Sequence, residues 1–571
     1  MKKVLRKTLS ILLCLSMLAG VVAIESFAGE ESLKITVSSD THFQCRADVG
    51  NLDPAQIEAA EKEGLLNSEI YYHASFQGQM NHESEALARA MLDDFAKSDS
   101  EYLLIAGDLT GGKRQSHNEF AKMLKETEEK CGKQIFVVCG NHDCDDDNYD
   151  KNISVDEFMQ IYQDFGYNEA LYRHDNSASY AVDLSDEYRL LAIDSCIYGK
   201  DDGQITDSVL EWVEQQAEQA EKDGKHLVAM MHHSLLSHFK VQPMFKNSSS
   251  VAEKFAQWGI KIVFTGHIHA NDASMARSEN GKTIYDIQTG SLITSPNAYR
   301  EVEFTDEEIS VTSKFVAEID TKYLPDGFNE KQLELIKTDF PAYSYGYFEA
   351  GICRWLNKYI GSAGKVGKLM KLDVNSKEYA FVDSIMKNVG EALNLPIYDD
   401  GSTPDTVDSI EEIAGLTGNE IPESNYTRLY QLAARVMNGF YHGDEAESVK
   451  TTEFPLLYAC LKAVLARSVA NLVFGNDINS IINDCFGVNL YDKTLTEVAS
   501  FNFANTVADK ILEATLLTVC DGFVGDFSEP SDINFTVQGY GVNETAQKTV
   551  PLTIFEKIFA FIKYFLKNLF A

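Results

Sequence analysis

Two hydrophobic patterns alternate along the first half of the chain. Short apolar runs that end in polar residues read as strands at 33–39, 101–106, 134–138, 179–184, 188–193, 226–231 and 260–265. Stretches with apolar residues at helical spacing separate several of them, at 84–98, 118–130, 154–165, 207–222 and 251–258. Strand, helix, strand repeated in this way predicts a doubly wound α/β domain. Asp207 stands where a helix N-cap is needed. A polar insertion at 45–79, carrying Tyr71, Tyr72 and Phe76, interrupts the alternation and is expected to overhang a site. Three more alternating strands, at 283–290, 300–304 and 309–315, are expected to close the second sheet of the domain.

Beyond Thr321 the pattern changes. Pro325, Asp326 and Gly327 mark a turn, and helical stretches follow at 330–337, 345–356, 376–393, 409–414, 424–437, 455–474 and 495–520. The expected organisation is a domain at 29–319, an all-α domain at 320–525, a polar linker at 526–550 and a final helix at 551–571. That last helix carries Lys557, Lys563 and Lys567 beside a wide apolar arc from Ile554 to Phe570. It is too polar to span a bilayer and suits its interface, which leaves two readings open: membrane-surface association through 554–570, or docking on the chain's own helices.

The first 28 residues change the picture at the other end. A basic start (Lys2, Lys3, Arg6, Lys7), an apolar run from Ile11 to Ile24 and the small-x-small step Ser26-Phe27-Ala28 read as a cleaved signal peptide. The expected location is therefore secreted, with cell-surface association following only where the C-terminal helix meets a membrane. Formal net charge is −37, and the leader holds four bases and one acid, so the chain without it stands near −40. Such a charge argues against binding a polyanionic nucleic acid over a broad face. Nine cysteines remain beyond Cys14, scattered and without a CxxC pair, so neither a dense disulfide framework nor a zinc ribbon is indicated.

The candidate chemistry sits at strand ends, where ligands of α/β sheets collect. Asp40 and His42 follow the first strand, Asp108 the second, and Asn141, His142 and Asp143 the third. His232 and His233 follow a later strand, and His267 and His269 the next. In extended backbone, residues i and i+2 face one way, which would bring Asp40 to His42 and His267 to His269. Imidazole, carboxylate and carboxamide together suit two divalent or trivalent ions of Mn, Fe, Zn or Ni. These residues exceed what one ion needs, and a shared carboxylate would divide them between two. His117, His174, His233 and His238 are candidates for the outer site.

The blocks DTH, GD, GNHD, HH and GHIH, in this order, resemble the calcineurin-like metallophosphoesterase superfamily over residues 33 to about 315. The resemblance implies a four-layer α/β/β/α sandwich. It implies that Asp40, His42, Asp108 and His269 hold one metal, and that Asp108 bridges to a second held by Asn141, His232 and His267. By the same resemblance His142 is the catalytic acid, Asp143 orients it, and the first histidine of the HH pair is the ligand. His233 and His117 are expected to touch substrate. The implied reaction is hydrolysis of a small phosphate ester by a water activated between the two ions. The text GDLTGG…SH, MHHSLLSH and DIQTGSL is similar to secreted bacterial class III cyclic-nucleotide phosphodiesterases. One departure is visible: many relatives carry an Asp or Asn a few residues after GD, where this chain reads GDLTGGKRQSH. A broad phosphomonoesterase, or a surface binding protein with a vestigial metal site, are the alternatives.

Overall fold

The computed structural model describes residues 32–542 apart from 63, 66, 146–151, 240–241, 243, 361–363, 365–372, 404–405, 445–452, 476–492 and 514–531. The expected signal peptide and the amphipathic helix at 551–571 lie outside these residues.

Two sheets carry the first domain. One runs β13 (Asn534–Gln538), β12 (Glu308–Phe315), β11 (Ala298–Phe304), β1 (Leu33–Ser38), β2 (Tyr102–Ala106), β3 (Gln134–Val138). The other runs β4 (Tyr172–Arg173), β5 (Tyr180–Asp183), β6 (Tyr188–Ile193), β7 (His226–Met231), β8 (Ile260–Thr265), β10 (Thr283–Gln288), β9 (Asp272–Arg277). β1, β2 and β3 are mutually parallel, as are β6, β7, β8 and β10. Parallel neighbours need crossovers. Helices α1 (Ser84–Lys97), α2 (Arg114–Cys131), α3 (Asp207–Asp223) and α4 (Ser248–Gln257) supply those from β1 to β2, β2 to β3, β6 to β7 and β7 to β8, while β8 reaches β10 through β9.

Period-two alternation decides which core each side chain joins. Val228 and Met230 of β7, with Ile262 and Phe264 of β8, enter the core shared with Val37, Leu104 and Val137 of the first sheet. Leu227, Ala229 and Met231, with Ile260 and Val263, face the other way onto Val213 of α3 and Phe255 of α4. Helix, sheet, sheet and helix therefore stack as four layers. Each fully buried large side chain here contributes about 1.5–3 kcal/mol of transfer free energy.

Several expectations change. β11 and β12 extend the first sheet, antiparallel beside β1, rather than closing the second. The alternating pattern marks a strand but not its partner. The stretch read as a linker contains β13, which pairs with β12 in the register Val311 to Phe535. Edge strand β9, half exposed and without clean alternation, escapes the sequence pattern. Thr206, not Asp207, caps α3 by accepting from the Val209 N–H.

Seven helices follow among the described residues: α5 (Glu330–Thr338), α6 (Phe340–Ile360), α7 (Lys377–Ala392), α8 (Ile410–Thr417), α9 (Leu429–His442), α10 (Glu453–Gly475) and α11 (Lys493–Leu512). Their core continues into the insertion. Leu52, Ala60, Leu65 and Tyr72 pack with Phe348 and Ile352 of α6 and Leu432 of α9. The Arg354 guanidinium donates to the carbonyl of Tyr72 at 2.9 Å. The insertion is thus the seat of the helical region.

Candidate metal centre

The carboxyl ends of β1, β2, β3, β7 and β8 deliver polar side chains to one place. Asp40, His42, Asp108, His267 and His269 all have positive φ, at 49°, 38°, 50°, 75° and 68°. Left-handed turns, not extended backbone, aim these side chains. Such conformations cost roughly 1–3 kcal/mol each and persist only where the surroundings impose them. Here they do: the Asp40 N–H donates to Gly107 O at 3.1 Å, the His42 N–H to Asp108 O at 2.9 Å, and the His267 N–H to Asp40 Oδ2 at 2.9 Å. Two motif glycines are required by closeness. A Cβ on Gly140 would stand 2.1 Å from Asp108 Oδ1, and one on Gly266 would stand 1.8 Å from Ser39 Oγ and 2.4 Å from Asp40 Oδ2.

The side chains form two sets joined at Asp108. In the first, His42 Nε2 and His269 Nε2 lie 3.3 Å apart, and they stand 3.8 and 3.4 Å from Asp40 Oδ1. His42 Nε2 is also 3.6 Å from Asp108 Oδ2. In the second, His232 Nε2 is 3.3 Å from that same Asp108 Oδ2, and Asn141 Oδ1 lies 3.0 Å from both His232 Nε2 and His267 Nδ1. Asp40 Oδ1 is buried with no hydrogen-bond partner among the described residues. A buried, unsatisfied carboxylate oxygen among converging ring nitrogens is costly for a protein alone and apt for a cation.

Electrostatics agree. Burial opposes the charge of Asp108, yet His232 and His42 beside it hold its carboxyl well below the ordinary range. Burial also opposes charge on His232, but Asp108 overrides it and carries that imidazole up to about 10. Burial pushes His42 and His267 down to about 4, leaving neutral rings with lone pairs to offer. A bound cation would take the place of the His232 proton.

Residues 33–271 match the calcineurin-like phosphoesterase family. This stretch is a calcineurin-like phosphoesterase domain. A probable cyclic nucleotide phosphodiesterase of Psychrobacter arcticus is 25% identical over 210 residues, which make up 35% of this chain and 66% of that relative. A dimetal phosphatase from Danio rerio aligns over 50% of this chain and 97% of its own at 11% identity, with a TM-score of 0.35. A purple acid phosphatase from yellow lupin aligns over 50% and 52% at 13% identity, with a TM-score of 0.32.

Within the phosphoesterase domain, His142 stands apart from the two sets. Its side chain is exposed, its ring centre lies 5.3 Å from that of His42, and its N–H donates to Asp108 Oδ1 at 2.8 Å. Three expected roles need correction. Asp143 does not orient His142: its carboxylate accepts the N–H groups of Gly140, Leu109 and Thr110 at 2.8, 3.2 and 3.0 Å, tying the GD turn to the GNHD turn. His117 is buried beneath them, with Nε2 2.9 Å from both Thr110 Oγ1 and Asp143 O and Nδ1 2.9 Å from Tyr162 OH, so it cannot touch substrate. His233 is buried too. Its Nδ1 meets Ser195 Oγ at 2.9 Å and its ring lies 4.6 Å from that of His267, which it buttresses. His174 packs on Trp212, and His238 lies between Asp272 and Asp286.

Ser39 escaped the sequence reading, although its Oγ lies 2.6 Å from Asp40 Oδ2. Its only signal was its position just before the DTH block. A third cluster, Cys139, Asp194 and Cys196, also brings donor atoms together. Asp194 is already occupied there by the N–H groups of Ala178 and Cys196 and by the Tyr198 hydroxyl.

Proposed function

We propose that the protein is a secreted, dinuclear metal-dependent phosphodiesterase, with cyclic nucleotides as its substrate class. The observation that carries the reading is the sharing of Asp108 between two convergent donor sets, one of which leaves Asp40 Oδ1 unsatisfied. The printed name of the Psychrobacter relative supports the choice of cyclic nucleotides. Asp40, His42, Asp108 and His269 would hold one ion, and Asp108, Asn141, His232 and His267 the other. Two such ions supply Lewis acidity toward a phosphoryl group and make water nucleophilic at neutral pH.

The chain's own residues do the rest. Phosphoryl transfer demands positioning and charge neutralisation more than a covalent nucleophile. His142, exposed at the rim and anchored through its N–H to Asp108, is placed to protonate the departing ester oxygen. Asp143 and His117 hold the two turns from below, so the ligands keep their aim when substrate arrives. The leader at 1–28 supports export, and Lys557, Lys563 and Lys567 support contact with an anionic membrane surface.

The test is metal-reconstituted enzyme assayed in parallel on cyclic nucleotides, bis(p-nitrophenyl) phosphate and p-nitrophenyl phosphate. Turnover of the diesters, cyclic nucleotides foremost, is expected. Turnover of p-nitrophenyl phosphate alone would replace the reading with a phosphomonoesterase. No turnover with both ions bound would leave a binding protein.

A further inference from the structure

The turn that presents His269 is held from outside the phosphoesterase domain. Two residues further on, Asn271 is fully buried. Its N–H donates to Tyr441 O at 3.2 Å and its Nδ2 to His442 O at 3.5 Å, both at the C-terminal end of α9. Its Oδ1 accepts the Gly290 N–H at 2.9 Å, at the end of β10. Helix α9 closes on Gly443 at φ 79°, where a Cβ would stand 3.1 Å from Asn271 O. Gly443 O in turn accepts the Asp532 N–H at 2.7 Å, and Asp532 Oδ2 accepts the Ala273 N–H at 3.2 Å. The segment 271–273 is thus clamped between the end of α9 and Asp532.

A second route reaches the same ligands. Ser344 of α6 donates to Asn297 Oδ1 at 2.5 Å, and Asn438 of α9 donates to Ser295 Oγ at 3.3 Å. Asn297 holds Leu292 O at 2.9 Å. In the same loop the Ser291 N–H donates to His269 O at 3.2 Å, and its Oγ donates to Asp40 O at 2.9 Å. His269 and Asp40 both sit at positive φ, a state that needs external support.

We infer that the helical region is a working part of the metal centre: through Asn271 it holds the turn that carries His269 and so sets the affinity of the set containing Asp40, His42 and His269. Asn271 is a positioning residue, acting through the turn that carries His269. The inference rests on the dinuclear reading above.

The experiment titrates Mn²⁺ into metal-stripped full-length protein by calorimetry, with elemental analysis of the reconstituted sample. Wild type should bind two ions. In Asn271→Ala one binding event should weaken about 10–100-fold, the range for lost support of a metal ligand, while the other stays within about twofold. Asn419→Ala is the control, because it removes a 2.8 Å bond to Asn505 inside the helical region, away from the metal residues. It should leave both events unchanged. Should Asn271→Ala fail to fold, Gly443→Ala presses on the same turn with the Asn271 side chain intact, and the same split is expected. Wild-type affinities in the Asn271 or Gly443 variant, or equal weakening of both events, would overturn the inference. Wild type that binds fewer than two ions would instead defeat the dinuclear reading.

Discussion

Two buried clusters of histidine and aspartate stand out among the described residues, and they differ in backbone conformation and in how their acceptors are filled. Around Asp40 and Asp108, lone pairs face lone pairs: two ring nitrogens stand 3.3 Å apart beside an unsatisfied carboxylate oxygen. Around His238 the carboxylates already have donors, although His238 Nε2 is itself without a hydrogen-bond partner among the described residues. Its Nδ1 lies 2.9 Å from Asp272 Oδ1 and its Nε2 3.4 Å from Asp286 Oδ2. Asp286 also accepts the N–H groups of Leu235 and Leu236 at 2.7 and 2.8 Å and the Thr265 hydroxyl at 2.6 Å. Backbone conformation divides the clusters as well, since five metal-set residues have positive φ and His238, Asp272 and Asp286 do not. Residue types alone therefore do not make a metal centre. A surplus of acceptors on a strained backbone does.

The largest effect should come from Asp108→Asn. This carboxylate is the member common to both sets, 3.6 Å from His42 and 3.3 Å from His232. The variant should lose both ions by elemental analysis and nearly all activity. Two ions per chain retained in Asp108→Asn would break the comparison at its base, because the sharing of Asp108 would then mean nothing.

A smaller loss, of another kind, is expected for His142→Ala. The ring is exposed and outside both donor sets, so metal content should stay at the wild-type value. Turnover should fall roughly 10²–10⁴-fold, the usual cost of a missing general acid. Metal loss in step with activity would move His142 into the cradle.

What could be read in the chain beforehand follows from the range of the interactions. Asp40, His42, Asp108, Asn141, His232, His267 and His269 were legible because each follows a strand whose apolar run is local in sequence. The four layers were legible through family resemblance. Partner choice was not: β11 and β12 show the same alternation whichever sheet takes them. Asp143 looked like a partner of its neighbour His142, while its actual partners at Leu109 and Thr110 lie 34 and 33 positions away. His117 looked like an outer-site histidine because helical spacing does not reveal that Tyr162 and Asp143 close over it. Asn271 carried no signal, since its backbone partner Tyr441 stands on a helix 170 residues later.

The smallest effect sharpens the other side of the comparison. Burial disfavours a charged His238, but Asp286 and Asp272 outweigh it and raise the imidazole to about 10. Unfolded, a histidine titrates near 6.5. The folded state therefore binds this proton more tightly, and the stabilisation is fully present below about pH 6.5. It declines as pH rises and is gone once the folded group deprotonates near 10. His238→Gln has no such proton to lose. Against it, wild type should be more stable by on the order of a few kcal/mol at pH 6, and the gap should close by pH 10. Urea midpoints at pH 6, 8 and 10 read this directly. Metal content of the variant at pH 7 should match wild type, because His238, Asp272 and Asp286 belong to neither donor set around Asp108. A gap that stays constant across this range would mean that His238 is neutral in the fold. Its two carboxylates would then face a buried group without counter-charge, and this cluster would itself become a cation site.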